Sequence, residues 1–92
     1  MRTILIEDEP LARDELRYHV VRAGLEVIAE TGHVGEAEQL VRTLQPDLVF
    51  LDIELTDGSG LDVAKRLQSM PHPPAILFVT AYDAHALEAF EL

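Results

Sequence analysis

The feature that most limits how this chain can fold is a set of four short apolar runs, at residues 3–6, 25–29, 48–51 and 75–79. They are rich in aliphatic and β-branched residues, and three of the four are almost unbroken. Runs of this kind are typical of strands buried in a parallel sheet that is covered on both faces. The sequence therefore predicts a parallel sheet with helices on either side.

The segments between these runs predict helices, because each carries apolar residues at the spacing of one helical face. In chain order these apolar residues are Ala12, Leu16, Val20 and Ala23, then Ala37, Leu40, Val41 and Leu44, then Leu61, Ala64 and Leu67. Pro10 suits the first helical turn and Gly24 suits the end of that helix. A fourth helix is predicted to begin near Asp83, with Leu87 and Phe90 on its buried side. Strands and helices alternate, and right-handed crossovers make this an α/β fold with a doubly wound parallel sheet.

The balance of charge argues against two classes of partner. The chain has 17 acidic and 7 basic residues and a formal net charge of -10, and such a surface repels phosphate backbones and anionic lipid headgroups. It contains no cysteine, which excludes disulfides and thiolate chemistry and fits a cytoplasmic protein. No apolar stretch approaches the roughly 20 residues that span a bilayer, so we expect neither direct nucleic-acid binding nor membrane insertion.

Acidic residues stand where two of the predicted strands end. Glu7, Asp8 and Glu9 follow the first strand. Asp52 directly follows the third apolar run. In open α/β sheets ligands bind beyond the carboxyl ends of the strands, and if these two strands are neighbours their acids lie about one strand spacing of ~5 Å apart. Repulsion at that distance requires either protons or a shared divalent cation, and hard oxygen ligands favour Mg²⁺, with Mn²⁺ also possible.

Asp52 is the predicted nucleophile of this cluster. A carboxylate at the rim of a buried strand can accept a phosphoryl group when a cation neutralises charge on the transferring oxygens. Glu7 and Asp8 are the predicted cation ligands. Glu9 can equally be an acid favoured by the dipole at the start of the first helix, and the plainer alternative for the whole cluster is a set of solvated caps.

The segment after Asp52 supplies further candidates. The backbone carbonyl two residues on, that of Glu54, is a candidate cation ligand. Asp57 and Ser59 are interpreted as turn or cap residues of the next helix. Thr80 ends the fourth run, where its hydroxyl either donates to a phosphoryl oxygen or merely ends a strand. The four histidines have no metal-ligand spacing and are interpreted as surface or loop residues: His19, His33, His72 and His85.

Three blocks of this sequence, "ILIEDEP", "PDLVFLDIELTDGSGLDVAKRL" and "ILFVTAYDAHALEAFEL", resemble the receiver domains of bacterial two-component response regulators. The resemblance covers nearly the whole chain and is closest to receivers attached to LytTR-type DNA-binding domains. It implies a flavodoxin-like fold with strand order 2-1-3-4 and a single receiver domain over residues 1–92. The fifth strand and last helix of that family are expected beyond Leu92.

The resemblance also implies a role for each matching residue. Asp52 is expected to be the phosphoacceptor, Glu7 and Asp8 the acidic pair that binds Mg²⁺, and the Glu54 carbonyl a further ligand. Thr80 is expected to be the switch hydroxyl. A sensor histidine kinase is the implied donor, and the domain is expected to catalyse only its own phosphorylation and dephosphorylation. The implied output is homodimerisation, with DNA contacted only through an output domain.

Two departures from the family pattern qualify these expectations. Thr56 stands where the family usually has proline, and we expect it to alter the loop without touching a ligand. The lysine of the family's fifth strand lies beyond this sequence, so we expect a less complete phosphoryl site. We also expect the bare edge of the sheet to favour self-association, with exchange of elements as one form of it.

Two other functions stay open. One is an interaction module that keeps the fold and works without phosphorylation. The other is a Mg²⁺-dependent phosphohydrolase with an aspartyl nucleophile. Such enzymes commonly place that nucleophile after the first strand, with a second acid two residues on, so the position of Asp52 after the third strand argues against it.

Overall fold

Each of the four apolar runs forms a strand in the structure, a computed structural model that describes residues 1–79. In chain order the elements are β1 (Arg2–Ile6), α1 (Pro10–Arg22), β2 (Glu26–Thr31), α2 (Val34–Leu44), β3 (Leu48–Asp52), β4 (Glu54–Leu55), β5 (Gly58–Ser59), α3 (Gly60–Gln68) and β6 (Ala75–Val79). The predicted helix near Asp83 and the predicted switch residue Thr80 lie outside the described residues.

The main sheet has the strand order β2-β1-β3-β6, and its three pairings are parallel. This confirms the predicted order 2-1-3-4, since β6 is the fourth of the main strands. The order of the chain reverses between β1 and β3, which pair up to Ile6 and Leu51. In such sheets the crevice at the carboxyl ends of those two strands is where ligands bind.

Helices cover both faces of the sheet. Because successive residues of a strand point to opposite faces, the strands contribute to two separate cores. One core contains Ile4, Ile6, Val49 and Leu51 of the sheet together with Ala37 and Val41 of α2 and Val63, Ala64 and Leu67 of α3. The other contains Leu5, Leu48 and Phe50 of the sheet together with Leu16 and Val20 of α1. Burying each of the larger aliphatic side chains contributes about 1.5–3 kcal/mol, and the doubly wound architecture is confirmed.

The predicted limits of α1 are confirmed, and of the predicted face of α3 Ala64 and Leu67 are buried whereas Leu61 is not. α1 begins at Pro10, and after it Gly24 takes a φ of 86°, a left-handed conformation that glycine adopts without strain. Leu61 is 49% exposed although its spacing predicted burial. The buried face of α3 is set by Val63 and Leu67, four residues apart, and Leu61 lies two residues, about 200°, away from Val63 around the helix.

A short antiparallel hairpin, β4 with β5, follows Asp52 and was not predicted. Glu54 pairs with Ser59, and Leu55 pairs with Gly58. Leu55 is buried in the core on the α2 and α3 side of the sheet, which anchors the hairpin. Within residues 1–79, none of the helices has the length and apolar character needed to cross a membrane.

Candidate functional site

Three acids converge at the carboxyl ends of β1 and β3. Glu7 and Asp8 directly follow β1, and Asp52 is the last residue of β3. One carboxylate oxygen of each lies within 4.8 Å of those of the other two. Glu7 and Asp52 are 3% and 5% exposed, and Asp8 is half-buried. The register of the two parallel strands therefore brings together the acids that the sequence singled out.

Two of these carboxylates are held by backbone amides of their own loops. The amide of Glu9 donates to Oε1 of Glu7 at 3.3 Å, and the amide of Glu54 donates to Oδ1 of Asp52 at 3.1 Å. Each bond spans two residues along the chain, as in the turns that acidic side chains form with nearby amides. In each pair the amide engages one oxygen only, and a further hydrogen bond joins the carboxyl groups of Glu7 and Asp52.

Asp8 is held from a distant part of the chain. The amide of Thr56 donates to Oδ2 of Asp8 at 2.7 Å, and the hydroxyl of Thr56 donates to the same oxygen. The expectation that Thr56 touches no ligand residue is therefore wrong. A proline, the residue usual there in the resembled family, has neither an amide hydrogen nor a hydroxyl and could make neither bond.

The neighbouring charges shift two carboxyl groups in opposite directions. Burial, a hydrogen bond with Asp52 and the negative charge of Asp52 raise the pKa of Glu7 to about 8. Without a cation, Glu7 therefore carries a proton at neutral pH and shares it with its neighbour. The hydrogen bond from the Thr56 hydroxyl is the largest influence that lowers the pKa of Asp8, so Asp8 stays ionised.

The cluster has the chemistry of a divalent cation site. Within the described part of the chain, the side-chain ion pairs join other acids. Arg13 reaches the edge of the cluster, but its Nη1 donates to the backbone carbonyl of Glu7 at 3.0 Å. Its Nε lies 3.6 Å from Oε1 of Glu30. Among residues 1–79 no cationic side chain pairs with these three carboxylates, and such a set of hard oxygen donors fits Mg²⁺ or Mn²⁺.

Two glycines allow the backbone to close tightly around the acids. A Cβ added at Gly60 would lie 2.0 Å from the carbonyl oxygen of Asp52 and 2.8 Å from Cα of Ile53. A Cβ added at Gly32 would lie 2.9 Å from Cα of Asp8. Any side chain at either position would displace an acid-bearing loop. The close contact of Gly32 carries no signal in the sequence, because it is made with a different loop.

The cap predictions are partly confirmed. Ser59 precedes α3, and its hydroxyl accepts from the amide of Leu61, as predicted. Asp57 is a turn residue, as the first of its two predicted readings has it, but it does not cap α3. Both of its oxygens lie 3.2 Å from the amide of Val34, the first residue of α2. The turn between β4 and β5 brings Asp57 to the helix that precedes β3 in the chain.

The remaining candidates stand as follows. Glu9 is the N-cap residue of α1 without a side-chain capping bond, and it is not among the converging acids. The Glu54 carbonyl stays a predicted ligand. Thr80 lies outside the described residues. His19, His33 and His72 are exposed, in agreement with their interpretation as surface residues, and His85 lies outside the described residues.

Comparison with known proteins gives a consistent result. Residues 3–92 match the family described as the response regulator receiver domain. Over its whole length the chain is 47% identical to "Sensory transduction protein LytT" of Bacillus subtilis (strain 168), of which it spans 39%. It is 43% identical to "Transcriptional regulatory protein LytR" of Staphylococcus aureus (strain N315), of which it spans 38%. The chain thus spans less than half the length of these curated relatives.

Solved structures show the same similarity. A two-component response regulator of the LuxR family from Aurantimonas sp. SI85-9A1 matches with a TM-score of 0.81 and 33% identity, over 98% of this chain and 66% of that one. The response regulatory domain of protein mrkE from Klebsiella pneumoniae matches with a TM-score of 0.81 and 32% identity, over 99% of this chain and 75% of that one.

Proposed function

The chain belongs to the family of response regulator receiver domains, and we propose that it takes a phosphoryl group onto Asp52 at a site where Glu7, Asp8 and Asp52 hold a divalent cation. The observation that carries the proposal is the convergence of these three carboxylates within 4.8 Å at the tips of adjacent strands. Two of the three are almost fully buried, and buried like charges at this distance require a proton or a metal ion.

Asp52 is placed to act as the nucleophile. It ends β3, a strand in which every residue is buried and which pairs with both β1 and β6. The Glu54 amide engages Oδ1, which fixes the side chain and leaves the second oxygen for attack. Fixed position contributes much of the rate in phosphoryl transfer, because little covalent chemistry is left to the protein.

Mg²⁺, with Mn²⁺ as a substitute, is the proposed cation, and when bound it would neutralise charge on the transferring phosphoryl oxygens. Glu7 and Asp8 would hold it from β1 and Asp52 from β3. The Glu54 carbonyl is the proposed further ligand. Thr80 is the proposed donor to a phosphoryl oxygen, since it follows Val79, the register partner of Asp52. Hydrogen-bonded carboxylates of this kind keep a fixed orientation towards a metal.

The proposed reaction moves one phosphoryl group and needs no other cofactor. An oxygen of Asp52 forms a bond to phosphorus while the P–N bond of a phosphohistidine in the donor kinase breaks. The histidine nitrogen keeps the electron pair of that bond and takes a proton from solvent. Water later attacks phosphorus, which releases inorganic phosphate and restores the carboxylate, and the domain catalyses both steps on itself only.

The proposed partners follow from the family. A sensor histidine kinase would supply the phosphoryl group, and the phosphorylated surface would promote homodimerisation. Because the relatives LytT and LytR are named for sensory transduction and transcriptional regulation, we place this receiver in a longer regulator that contacts DNA through its output domain. A cytoplasmic location stays a prediction from the absence of cysteine.

Phosphate-affinity electrophoresis after incubation with acetyl phosphate and Mg²⁺ tests this function. We expect a single retarded band in the wild-type chain, and no such band in Asp52→Asn or in the presence of EDTA. A wild-type chain that is never retarded while it still folds would favour an interaction module that works without phosphorylation. Steady release of phosphate over many cycles per protein would favour a phosphohydrolase.

A further inference from the structure

We propose that Thr56 is a positioning residue of the cation site: it holds Oδ2 of Asp8 with its amide and its hydroxyl, so that Asp8 presents its other oxygen to the metal. The inference rests on the proposed cation site and adds a residue to it. Thr56 does not belong to the acidic cluster and lies 48 residues from Asp8 along the chain.

The hydrogen bonds around the three acids are not equivalent. The amides that hold Glu7 and Asp52 come from the loops to which those acids themselves belong. The bonds from Thr56 join the loop after β1 to the hairpin after β3. Thr56 therefore directly ties the loop that carries Asp8 to the hairpin beside Asp52, in addition to the pairing of the two strands.

Thr56 can act as a fixed donor because its hairpin is anchored from the opposite side. The carboxylate of Asp57 accepts from the amide of Val34 at the start of α2, with both oxygens at 3.2 Å. Gly58 packs so closely that an added Cβ would lie 2.9 Å from Cγ2 of Val34. The hairpin thus rests on α2, and Thr56 projects from it to Asp8.

Two donors on one oxygen restrict how Asp8 can bind a metal. With Oδ2 engaged by both groups of Thr56, Oδ1 is the oxygen that Thr56 leaves to a cation. Mg²⁺ demands near-ideal octahedral geometry and usually takes one oxygen from a carboxylate, so this restriction selects the favourable mode of binding. Hydrogen bonds that orient metal ligands commonly change metal affinity by about 10–100-fold.

Calorimetric titration of the intact chain with MgCl₂ tests the proposal in three proteins. Thr56→Val keeps the shape of the side chain and the backbone amide but removes the hydroxyl. We expect its Kd for Mg²⁺ to be about tenfold higher than that of the wild type. Thr56→Ser keeps the hydroxyl and should restore affinity to within about twofold. Unfolding midpoints measured in EDTA show that each protein folds without metal, and we expect only a small decrease in Thr56→Val, which loses the hydroxyl bond to Asp8.

Each contrary outcome is distinct. If Thr56→Val binds Mg²⁺ as the wild type does, the hydroxyl does not position Asp8, and the proposed function stands without this residue. If Thr56→Val binds more tightly, the hydroxyl competes with the cation and the proposal is reversed. If the wild-type chain binds no Mg²⁺ at all, both this inference and the proposed function are overturned. Should the valine variant fail to fold in EDTA, Thr56→Ala replaces it.

Discussion

Two groups of acids in this chain are stabilised in opposite ways. On the surface between α1 and β2, Glu30 accepts from Arg17 through both of its oxygens, at 2.6 Å and 3.0 Å, and lies 3.6 Å from Arg13. At the tips of β1 and β3, buried Glu7 and Asp52 are held by backbone amides and by a shared proton. Both groups are acidic and lie on adjacent strands, yet within residues 1–79 the side-chain ion pairs involve Glu30 and none of the strand-tip acids.

The difference shows that the negative charges of the strand-tip acids are not balanced by cationic side chains of the described residues. A side-chain ion pair at the surface gives each acid a permanent partner and contributes little to stability. Acids that are buried together without such a partner cost free energy unless a proton or a metal ion joins them. The acid group at the strand tips is therefore where we propose that a cation replaces the proton.

The largest effect is expected where the backbone encloses the strand-tip acids most closely. In Gly60→Ala the new Cβ would lie 2.0 Å from the carbonyl oxygen of Asp52, so the loop must shift, and we expect a loss of about 3 kcal/mol or more in the free energy of unfolding. Urea denaturation measures it. Gly35→Ala is the matched control, because its added Cβ meets no atom within 4 Å. Equal stability of the two variants would contradict the close packing described here.

The second-largest expected effect is a dependence of the free energy of unfolding on pH in the metal-free chain. Glu7 has a pKa of about 8 in the folded state against 4.5 unfolded, so between these values the folded state binds more protons. Stability should therefore fall as pH rises from 5 to 8, by an amount on the order of 2–3 kcal/mol. Glu7→Gln cannot titrate and should lose this part of the slope. Urea denaturation in EDTA at several pH values measures both proteins.

The difference between the two proteins isolates the contribution of Glu7 from that of the other ionisable groups. Glu30→Gln should keep the wild-type slope, because it leaves Glu7 and Asp52 in place. The lowered pKa of Asp8 affects stability at a more acidic pH. The stability that it contributes is lost only as the pH falls below the usual pKa range of an aspartate. A Glu7→Gln variant with an unchanged slope would show that Glu7 is ionised in the folded state.

The sequence was sufficient for the parts of the molecule that have a local signal. Apolar runs such as Leu48 to Leu51 define buried strands, and helical spacing such as that of Leu16 and Val20 defines a packed face. The acids of the site were found for the same reason, because Glu7 and Asp52 directly follow such runs. Adjacent strands then bring them together without any further signal.

The rest could not be predicted because it depends on contacts between distant segments. Two-residue strands carry no period, so the hairpin of β4 and β5 had no signature. The partner of Asp57 lies 23 residues away in α2, and the partner of Thr56 lies 48 residues away after β1. A departure from the family pattern marked Thr56 as unusual, but only the folded chain shows what its side chain touches.

The smallest effect is expected at the paired acids between α1 and β2. Glu30→Gln removes the charge that Arg17 engages, and because both side chains are partly exposed we expect a loss of about 0.5–1 kcal/mol that shrinks in high salt. Glu15→Gln, also an acid-to-amide change, is the control. The Kd for Mg²⁺ should not change in either variant. Arg13 contacts both Glu30 and the carbonyl of Glu7, so a weaker Mg²⁺ affinity in Glu30→Gln alone would mean that this arginine couples the two acid groups and that they are not independent.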